Sequence, residues 1–594
     1  MSVNRVLAAT TVALFLCSCA APRYQGNHPF LKEQPRILVD KVLMLDNKWV
    51  MTEDHVREIK EAGFNVVSPR IGGKDPARVR KVAKMAQDNG MFYVAWMRGS
   101  LAAPKDTPES LLYVYPDGHS CNIYSPNADQ LWDWMEKIIL EHARISVEIP
   151  AMAGSFLDFE NYATGKAGNC YSLSYDEPIL RAFAEAQNLK LPALKPEQRE
   201  DWLKEQKLEQ AFRDFQVAGW RQRARRIRQK IDAINPQFLL LIYPAPGTLL
   251  MTEGLYPEWA TEAAPLVLCN ADTYGRPSEF LAEREALKTN GKILKRTMKV
   301  PAAKGIPHVY LGGIDPVCPG ADPEFCGKNA SLICDVTDGY WIFYEGPEYK
   351  KDHPEYFRWF KMANADSATG VFDLWKQPRS QPENLGDTKL DRKTDLLQVG
   401  IFNTRKPLGQ DIESTGKYEI HKLRGMSVEY LSKLDVVVLQ NFNLAIDPDH
   451  PISTNLRTYV EQGGGLLLGH DTAWFMESPF PEVAKRDYPK HKVDSVRHVL
   501  ATTLEIAKEH PGMPGLKKGT RFETEFGDHM IFEPGPQGTV IVRNLFGDPV
   551  YVVAQVGKGR VVYSGCYYGY FKNLTGGERT VLLGLIDWLA EAGK

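Results

Sequence analysis

Eight apolar, β-rich runs recur between residues 36 and 365, interleaved with loops and amphipathic helical stretches. The runs are 37–42, 65–68, 92–96, 153–159, 239–243, 266–269, 308–311 and 340–344. Helical periodicity marks 53–62, 76–88, 128–142 and 278–289 between them. Side chains alternate along a strand and recur every 3.6 residues on a helix, so the two kinds of segment separate by period. Strands that alternate with helices pair in parallel through crossovers. Eight such units over about 330 residues suit a (β/α)8 TIM barrel. An open doubly wound sheet is the weaker fit, because no glycine-rich nucleotide loop follows the first run.

The rest of the chain divides by composition. Between the fourth and fifth runs, 196–234 is a long charged helical insertion, dense in arginine from Arg221 to Arg228. It reads as a solvated helix on the barrel wall, with a basic surface for an anionic polymer as the alternative. Residues 366–395 hold Pro, Arg, Asp and Gln with little apolar periodicity, which is a linker composition. A second α/β pattern fills 396–594, with strands at 397–402, 436–439, 466–468, 540–542, 550–554 and 561–564 and helices at 456–461 and 580–592. Within it, Tyr459-Val460-Glu461-Gln462-Gly463-Gly464-Gly465-Leu466-Leu467-Leu468-Gly469 resembles class I glutamine-amidotransferase-like domains, including those appended to some sugar-cleaving barrels. That resemblance implies a flavodoxin-like α/β domain. Active members place a nucleophilic cysteine on a tight strand-to-helix turn. Here His470 and Asp471 follow Gly469, and the nearest cysteine, Cys566, comes late and lacks a His/Glu pair at the family's spacing. The domain therefore reads as catalytically silent, serving packing, oligomerisation or the barrel rim.

The first residues read as an address. Residues 1–18 carry one charge at Arg5, an apolar run from Val6 to Leu16, and a small residue, Ser18, before Cys19. These are the parts of a secretory signal, and the run is too short to span a bilayer. Leu16-Cys17-Ser18-Cys19 resembles the lipobox of bacterial lipoproteins. The resemblance implies that Cys19 is lipidated and starts the mature chain, with 19–35 as tether. An ordinary signal cut nearby is the alternative. Either way the protein is expected outside the cytoplasm, in a bacterial cell envelope, periplasmic or at the cell surface. It then works without ATP or NAD. The net charge of −2 gives no reason to expect a nucleic-acid partner. Seven further cysteines match no zinc ribbon; Cys318–Cys326 and Cys121–Cys170 are candidate disulfides, and the odd count leaves a thiol over.

Barrel enzymes of this kind act at the carboxyl ends of their strands. Those ends carry Arg70, Trp96, Arg98, Asp158, Glu160, Tyr243, Asp272, Tyr274, Asp315 and Glu345. Asp158-Phe159-Glu160 is the sharpest element. Its two acids share a strand face, roughly 7 Å apart, while Leu157 and Phe159 take the other face toward the helices. Repulsion would leave the more buried acid protonated near neutral pH, the pairing that glycosidic cleavage needs. The alternative is that the acids cap loops or pair with Arg70 or Arg98. The chain resembles barrel glycoside hydrolases as architecture over 36–365 and as a motif at 153–160. Retaining chitinase-type enzymes carry D-x-x-D-x-D-x-E here; this chain has Ala153, Phe156, Asp158 and Glu160 at those places, so only the last two acids remain. That resemblance makes Glu160 the general acid and Asp158 an orienting group. An α-galactosidase-type pattern makes Asp158 the nucleophile and Asp272 the acid. A third arrangement puts the acid on the fourth strand and the nucleophile at Asp315 or Glu345.

Trp96, Tyr243, Tyr274, Tyr310, Trp341 and Tyr344 are candidate sugar platforms, or else core. Arg70 and Arg98 either bind a sulfate or uronate or neutralise the strand-four acids. The loop 113–126 is a candidate cover for the mouth. The chain lacks H-E-x-x-H, G-x-S-x-G and Walker motifs, so no metal or cofactor is called for. The expectation is a lipid-anchored glycoside hydrolase acting on a polysaccharide or glycan, with a non-catalytic glycan-binding lipoprotein as the alternative. Its partners are the glycan, the membrane through Cys19, and a second copy of the chain.

Overall fold

Consecutive strands β1 (Arg36–Asp40), β2 (Val66–Pro69), β3 (Phe92–Arg98), β4 (Met152–Asp158), β5 (Leu239–Ala245), β6 (Leu266–Asn270), β7 (His308–Ile314) and β8 (Gly339–Tyr344) each pair in parallel with the next. β8 returns to β1 and closes the barrel in this computed structural model. The structure describes residues 27–40, 51–99, 101–116, 118–159, 173–247, 249–316, 318, 320–344, 347–383, 385–386, 390, 393–402, 406–442, 444–486, 502–570 and 572–592. Cys19, Glu160, Cys170 and Glu345 lie outside the described residues.

The alternation in sequence becomes two packed layers. Val39, Val94, Phe156, Leu241, Val267, Leu311, Trp341 and Phe343 point inward and form one apolar cluster. Leu38, Tyr93, Leu157, Ile242, Leu268 and Ile342 point outward and pack with the helices. Parallel strands covered on both faces read as near-continuous apolar runs, as these do. Phe30, from the short turn Pro29–Leu31, joins the inner cluster 5.4 Å from Phe92 and plugs the amino end of the barrel. The helices start where polar caps allow: Thr52 accepts from His55 N, and Asp75 from Ala77 N and Arg78 N. Each such cap contributes about 1 kcal/mol.

The insertion folds as helices Arg199–Glu205 and Glu209–Asp232. Its arginines are matched by acids on neighbouring segments: Arg223 with Asp129, Arg226 with Asp133 and Glu136, and Arg221 and Arg225 with Glu258. That is the solvated wall helix, not an open basic surface. The stretch 113–126 is not an open loop but a hairpin, Leu112–Val114 against Ser120–Tyr124, which buries Tyr113, Tyr115 and Ile123.

The stretch 366–395 differs from its linker reading. The preceding helix, Pro347–Thr369, continues into it. Beyond that, the chain is strapped to the barrel. Buried Lys328 binds Glu283 (2.6 Å), Glu324 (2.8 Å) and the Pro378 carbonyl (3.1 Å), and Arg379 bridges Glu283 and Asp322 at 2.6 Å each. Charges that look like linker composition are here partners of buried acids.

The second sheet holds β9 (Leu397–Phe402), β10 (Tyr418–Lys422), β11 (Val436–Gln440), β12 (Gly465–Gly469), β13 (Thr503–Ile506), β14 (Arg521–Glu523), β15 (Thr539–Asn544), β16 (Pro549–Val556) and β17 (Gly559–Ser564). Its order is β10-β9-β11-β12-β17-β16-β15-β13-β14. The first five run parallel and the rest join antiparallel, so the sheet is mixed and not the all-parallel flavodoxin-like sheet expected. The physical cause is local. Only Gly557 and Lys558 separate β16 from β17, and a two-residue turn reverses a strand. Helix Pro451–Glu461 covers one face through Leu456 and Val460, and helix Gly576–Ala590 the other through Leu582 and Leu585.

The two sheets share apolar contacts. Phe280, from the segment after β6, lies 6.0 Å from Phe402 and 6.3 Å from Phe442, at the carboxyl ends of β9 and β11. Phe546, in the turn between β15 and β16, packs on the insertion beside Tyr175, Phe183 and Phe212. Lys204 Nζ donates to the Leu545 carbonyl at 2.6 Å. The second sheet thus grips the segments that follow β4 and β6.

Candidate active site

β4 delivers Asp158 to the mouth. Its carboxyl is buried, and Oδ1 accepts from Arg98 Nη1 of β3 at 3.0 Å. Leu157 and Phe159 turn to the helices. Arg98 thus places a cation beside the Asp158 carboxyl.

Trp96, two residues before Arg98 on the same face, is half-buried. The guanidinium carbons of Arg98 and Arg70 each lie 5.5 Å from its ring, and that of Arg70 is 4.6 Å from the Phe343 ring. The indole Nε1 is buried with no hydrogen-bond partner among the described residues. Below these cations lies an aromatic floor. Trp341 is 4.5 Å from Phe343, 4.9 Å from Tyr243 and 5.7 Å from Tyr274, centroid to centroid. Trp341 and Tyr243 are buried, so they serve as floor and not as open stacking faces. Gly313 makes this packing feasible: a Cβ there would sit 2.8 Å from Tyr274 Cε1 and 2.9 Å from Trp341 Nε1.

Of the other described rim acids, Asp272 is held by Asn270, whose Nδ2 also donates to the outward-facing Tyr310 hydroxyl at 2.9 Å. Asp272 follows β6; its Oδ2 accepts from Asn270 Nδ2 at 2.9 Å, while its own N–H donates to Asn270 Oδ1 at 2.8 Å. Asp315 follows β7, nearly buried, with its N–H on the Tyr274 carbonyl at 3.0 Å. Contacts thus run from Asp158 through Arg98, Trp96, Arg70, Phe343 and Tyr274 to Asp315.

Two expected platforms are elsewhere. Tyr310 and Tyr344 face outward, buried with the helices, where their hydroxyls meet Asn270 and His353. Each stands next to an inward residue, Leu311 and Phe343, and alternation sends it to the opposite face. Cys318 and Cys326 are not joined in a disulfide. Cys121–Cys170 falls outside the described side chains. Cys566 is a buried core thiol pushed well above its ordinary value by burial, unsuited to nucleophilic attack.

Sequence reasoning missed Phe343 as a site residue, although its spacing of two from Trp341 carries the signal. The loop after β2 is held by a buried relay. Burial pushes His142 down to about 4, so the ring is neutral. Its Nε2 donates to the Gly73 carbonyl at 2.6 Å, and its Nδ1 accepts from the outward Ser155 of β4 at 2.8 Å. Gly73 sits hard on β3: a Cβ would fall 1.9 Å from the Trp96 carbonyl oxygen.

Among solved structures, the chain is similar to a β-galactosidase from Bacillus circulans sp. alkalophilus, at 13% identity over 94% of this chain and 88% of that one, with a TM-score of 0.38. It is similar to the β-galactosidase of the Antarctic haloarchaeon Halorubrum lacusprofundi, at 14% identity over 94% and 90%, TM-score 0.38. It is also similar to the exo-β-1,4-mannosidase Op5Man5 from Opitutaceae bacterium strain TAV5, at 11% identity over 94% and 97%, TM-score 0.31. Scores this low carry no argument about activity, and the barrel rests on its own strand pairing. No protein-family model and no curated protein matches the chain.

Proposed function

We propose that the barrel mouth binds a glycan and cleaves a glycosidic bond. The observation that carries this is Asp158: a buried carboxylate on the inward face at the carboxyl end of β4, paired with Arg98. In this reading Asp158 meets the anomeric carbon, or orients the group that does. Glu160, Asp272 or Asp315 supplies the proton to the leaving oxygen. The lipobox-like Leu16-Cys17-Ser18-Cys19 supports anchoring at Cys19 in a bacterial envelope. The amidotransferase-like segment acts without its own catalysis, gripping the segments after β4 and β6 and offering a surface for self-association.

A second reading, a binding lipoprotein that holds glycan uncleaved, is favoured by one observation. Asp158 and Asp272 are both engaged, by Arg98 and by Asn270.

The test is a panel of polysaccharides presented to the full chain, with reducing ends as readout. Turnover that falls by about 10²- to 10⁴-fold in Asp158→Asn, with glycan affinity kept, supports hydrolysis. Affinity without turnover in the wild type decides for the second reading, and neither affinity nor turnover overturns both.

A further inference from the structure

We propose that Glu383, on the chain that straps the barrel to the second sheet, is a positioning residue of the barrel mouth: its carboxylate fixes the loops after β6 and β7, which hold Asp272 and Asp315. This rests on the glycan reading above.

The loop from β6 to the helix Glu283–Thr297 carries Asp272, Tyr274 and Arg276. That helix starts without a side-chain cap of its own, because its N-cap residue is Ala282. Glu383 answers from 100 positions along the chain: both its carboxylate oxygens accept from the Glu283 N–H, at 3.0 and 3.1 Å. An anion there also suits the helix dipole. Glu383 Oε1 accepts from Arg276 Nη2 as well, at 2.6 Å. Arg276 in turn donates to the Leu281 carbonyl and folds the loop back on itself. One carboxylate therefore ties together the loop, the helix start and the strap.

The neighbouring charges are matched to one another. Glu283 pairs with Lys328 and Arg379, Glu324 with Lys328, and Asp322 with Arg379. Among the described residues, Glu383 is the one carboxylate within ion-pair distance of Arg276. Their side chains are 18% and 11% exposed, so the pair is largely out of water, where a lost partner is costly.

The clamp reaches the acids through backbone. Arg276 lies against the loop after β7: a Cβ on Gly320 would fall 2.6 Å from Arg276 Cβ. Nearer the mouth the Asp315 N–H donates to the Tyr274 carbonyl, and Thr273 Oγ1 donates to the Gly313 carbonyl at 2.9 Å. Asn270 pins Asp272 at the root of the loop after β6, and Glu383 with Arg276 pins its far end. A reacting group displaced by about 1 Å can lose about 100-fold in rate.

The experiment compares wild type, Glu383→Gln, Arg276→Gln, the double variant and Arg379→Gln, each as the full chain. Arg379→Gln loosens the same strap from Glu283 and Asp322 but leaves Glu383 on Arg276. Amide hydrogen exchange is read over 271–282 and 315–322, with kcat and KM on whichever polysaccharide of the panel the wild type cleaves. Glu383→Gln should raise exchange over 271–282 about 10- to 100-fold. It should lower kcat by about the same factor with KM nearly kept. Arg276→Gln should do likewise, and the double variant no worse than either single one. Arg379→Gln should lower the melting temperature and keep kcat. Unchanged exchange or unchanged kcat in Glu383→Gln, or an equal fall of kcat in Arg379→Gln, would overturn the inference and leave the glycan reading standing. A panel left uncut by the wild type overturns the glycan reading instead, and exchange alone then decides whether Glu383 fixes the loop. Should Glu383→Gln not fold, Arg276→Gln is read by the same two measurements.

Discussion

Glu578 offers the sharpest physical test of the second sheet. It stands in the first turn of helix Gly576–Ala590, buried, with Oε2 accepting the Glu525 N–H at 2.6 Å. Its Oε1 has no hydrogen-bond partner among the described residues. Burial, with Glu525 and Asp411 nearby, pushes its carboxyl up to about 8. The folded state therefore holds a proton that the unfolded chain gives up near 4.5. A folded-state value raised above the unfolded one means stability that is full below pH 4.5 and lost as pH climbs toward 8. Each pH unit in that window is worth about 1.4 kcal/mol, so between pH 4.5 and 7 this group alone removes about 3 kcal/mol of stability. Glu578→Gln cannot ionise, yet it keeps an oxygen to accept from Glu525. Its pH slope should be flat where the wild type falls. Amide hydrogen exchange across 576–590, measured from pH 5 to 8 and corrected for intrinsic rates, reads this region alone. Equal slopes in the two proteins would refute the reasoning, because the buried carboxyl would then not be holding the proton.

Three further outcomes are expected. Glu160→Gln should lose turnover of an unactivated glycan but keep most of it on a substrate whose leaving group needs no proton, whereas Asp158→Asn should slow both; equal losses on both substrates in Glu160→Gln would move the donor role to Asp272 or Asp315. Phe280→Ala removes the ring packed against Phe402 and Phe442 and should cost about 3–5 kcal/mol of stability, seen as lower melting temperature and faster proteolysis between the two sheets; an unchanged melt would show that the contact is not stabilising. Cys19→Ala should release the protein from the detergent phase in a partition assay, and continued partitioning there would remove the lipid-anchor reading.

Strand periodicity made much of this protein legible in its sequence. All eight barrel strands lie where apolar runs predict them, and the inward turn of Asp158 follows from alternation with Leu157 and Phe159. The same rule, applied to β7 and β8, would have sent Tyr310 and Tyr344 outward. Aromatic residues near strand ends look alike in a sequence until parity is counted. The antiparallel part of the second sheet was harder to read. Thr503–Ile506 and Arg521–Glu523 are strands of 4 and 3 residues, too short for alternation to show.

What the sequence determined by itself is what depends on neighbours a few residues apart: strand and helix period, capping, the faces of β4, and the run of small and apolar residues in β12. Tertiary structure alone decided the partners. Arg98 had two open roles until β3 and β4 paired and brought it to 3.0 Å from Asp158. Arg70 met Phe343 only because β8 closes onto β1 and so lies one strand away from β2. The charged stretch after the barrel resembled a linker until Lys328 and Arg379 tied it down. Periodicity is written in local spacing, whereas contacts across a closed barrel or between two sheets follow from three-dimensional closure, which brings together residues hundreds of positions apart.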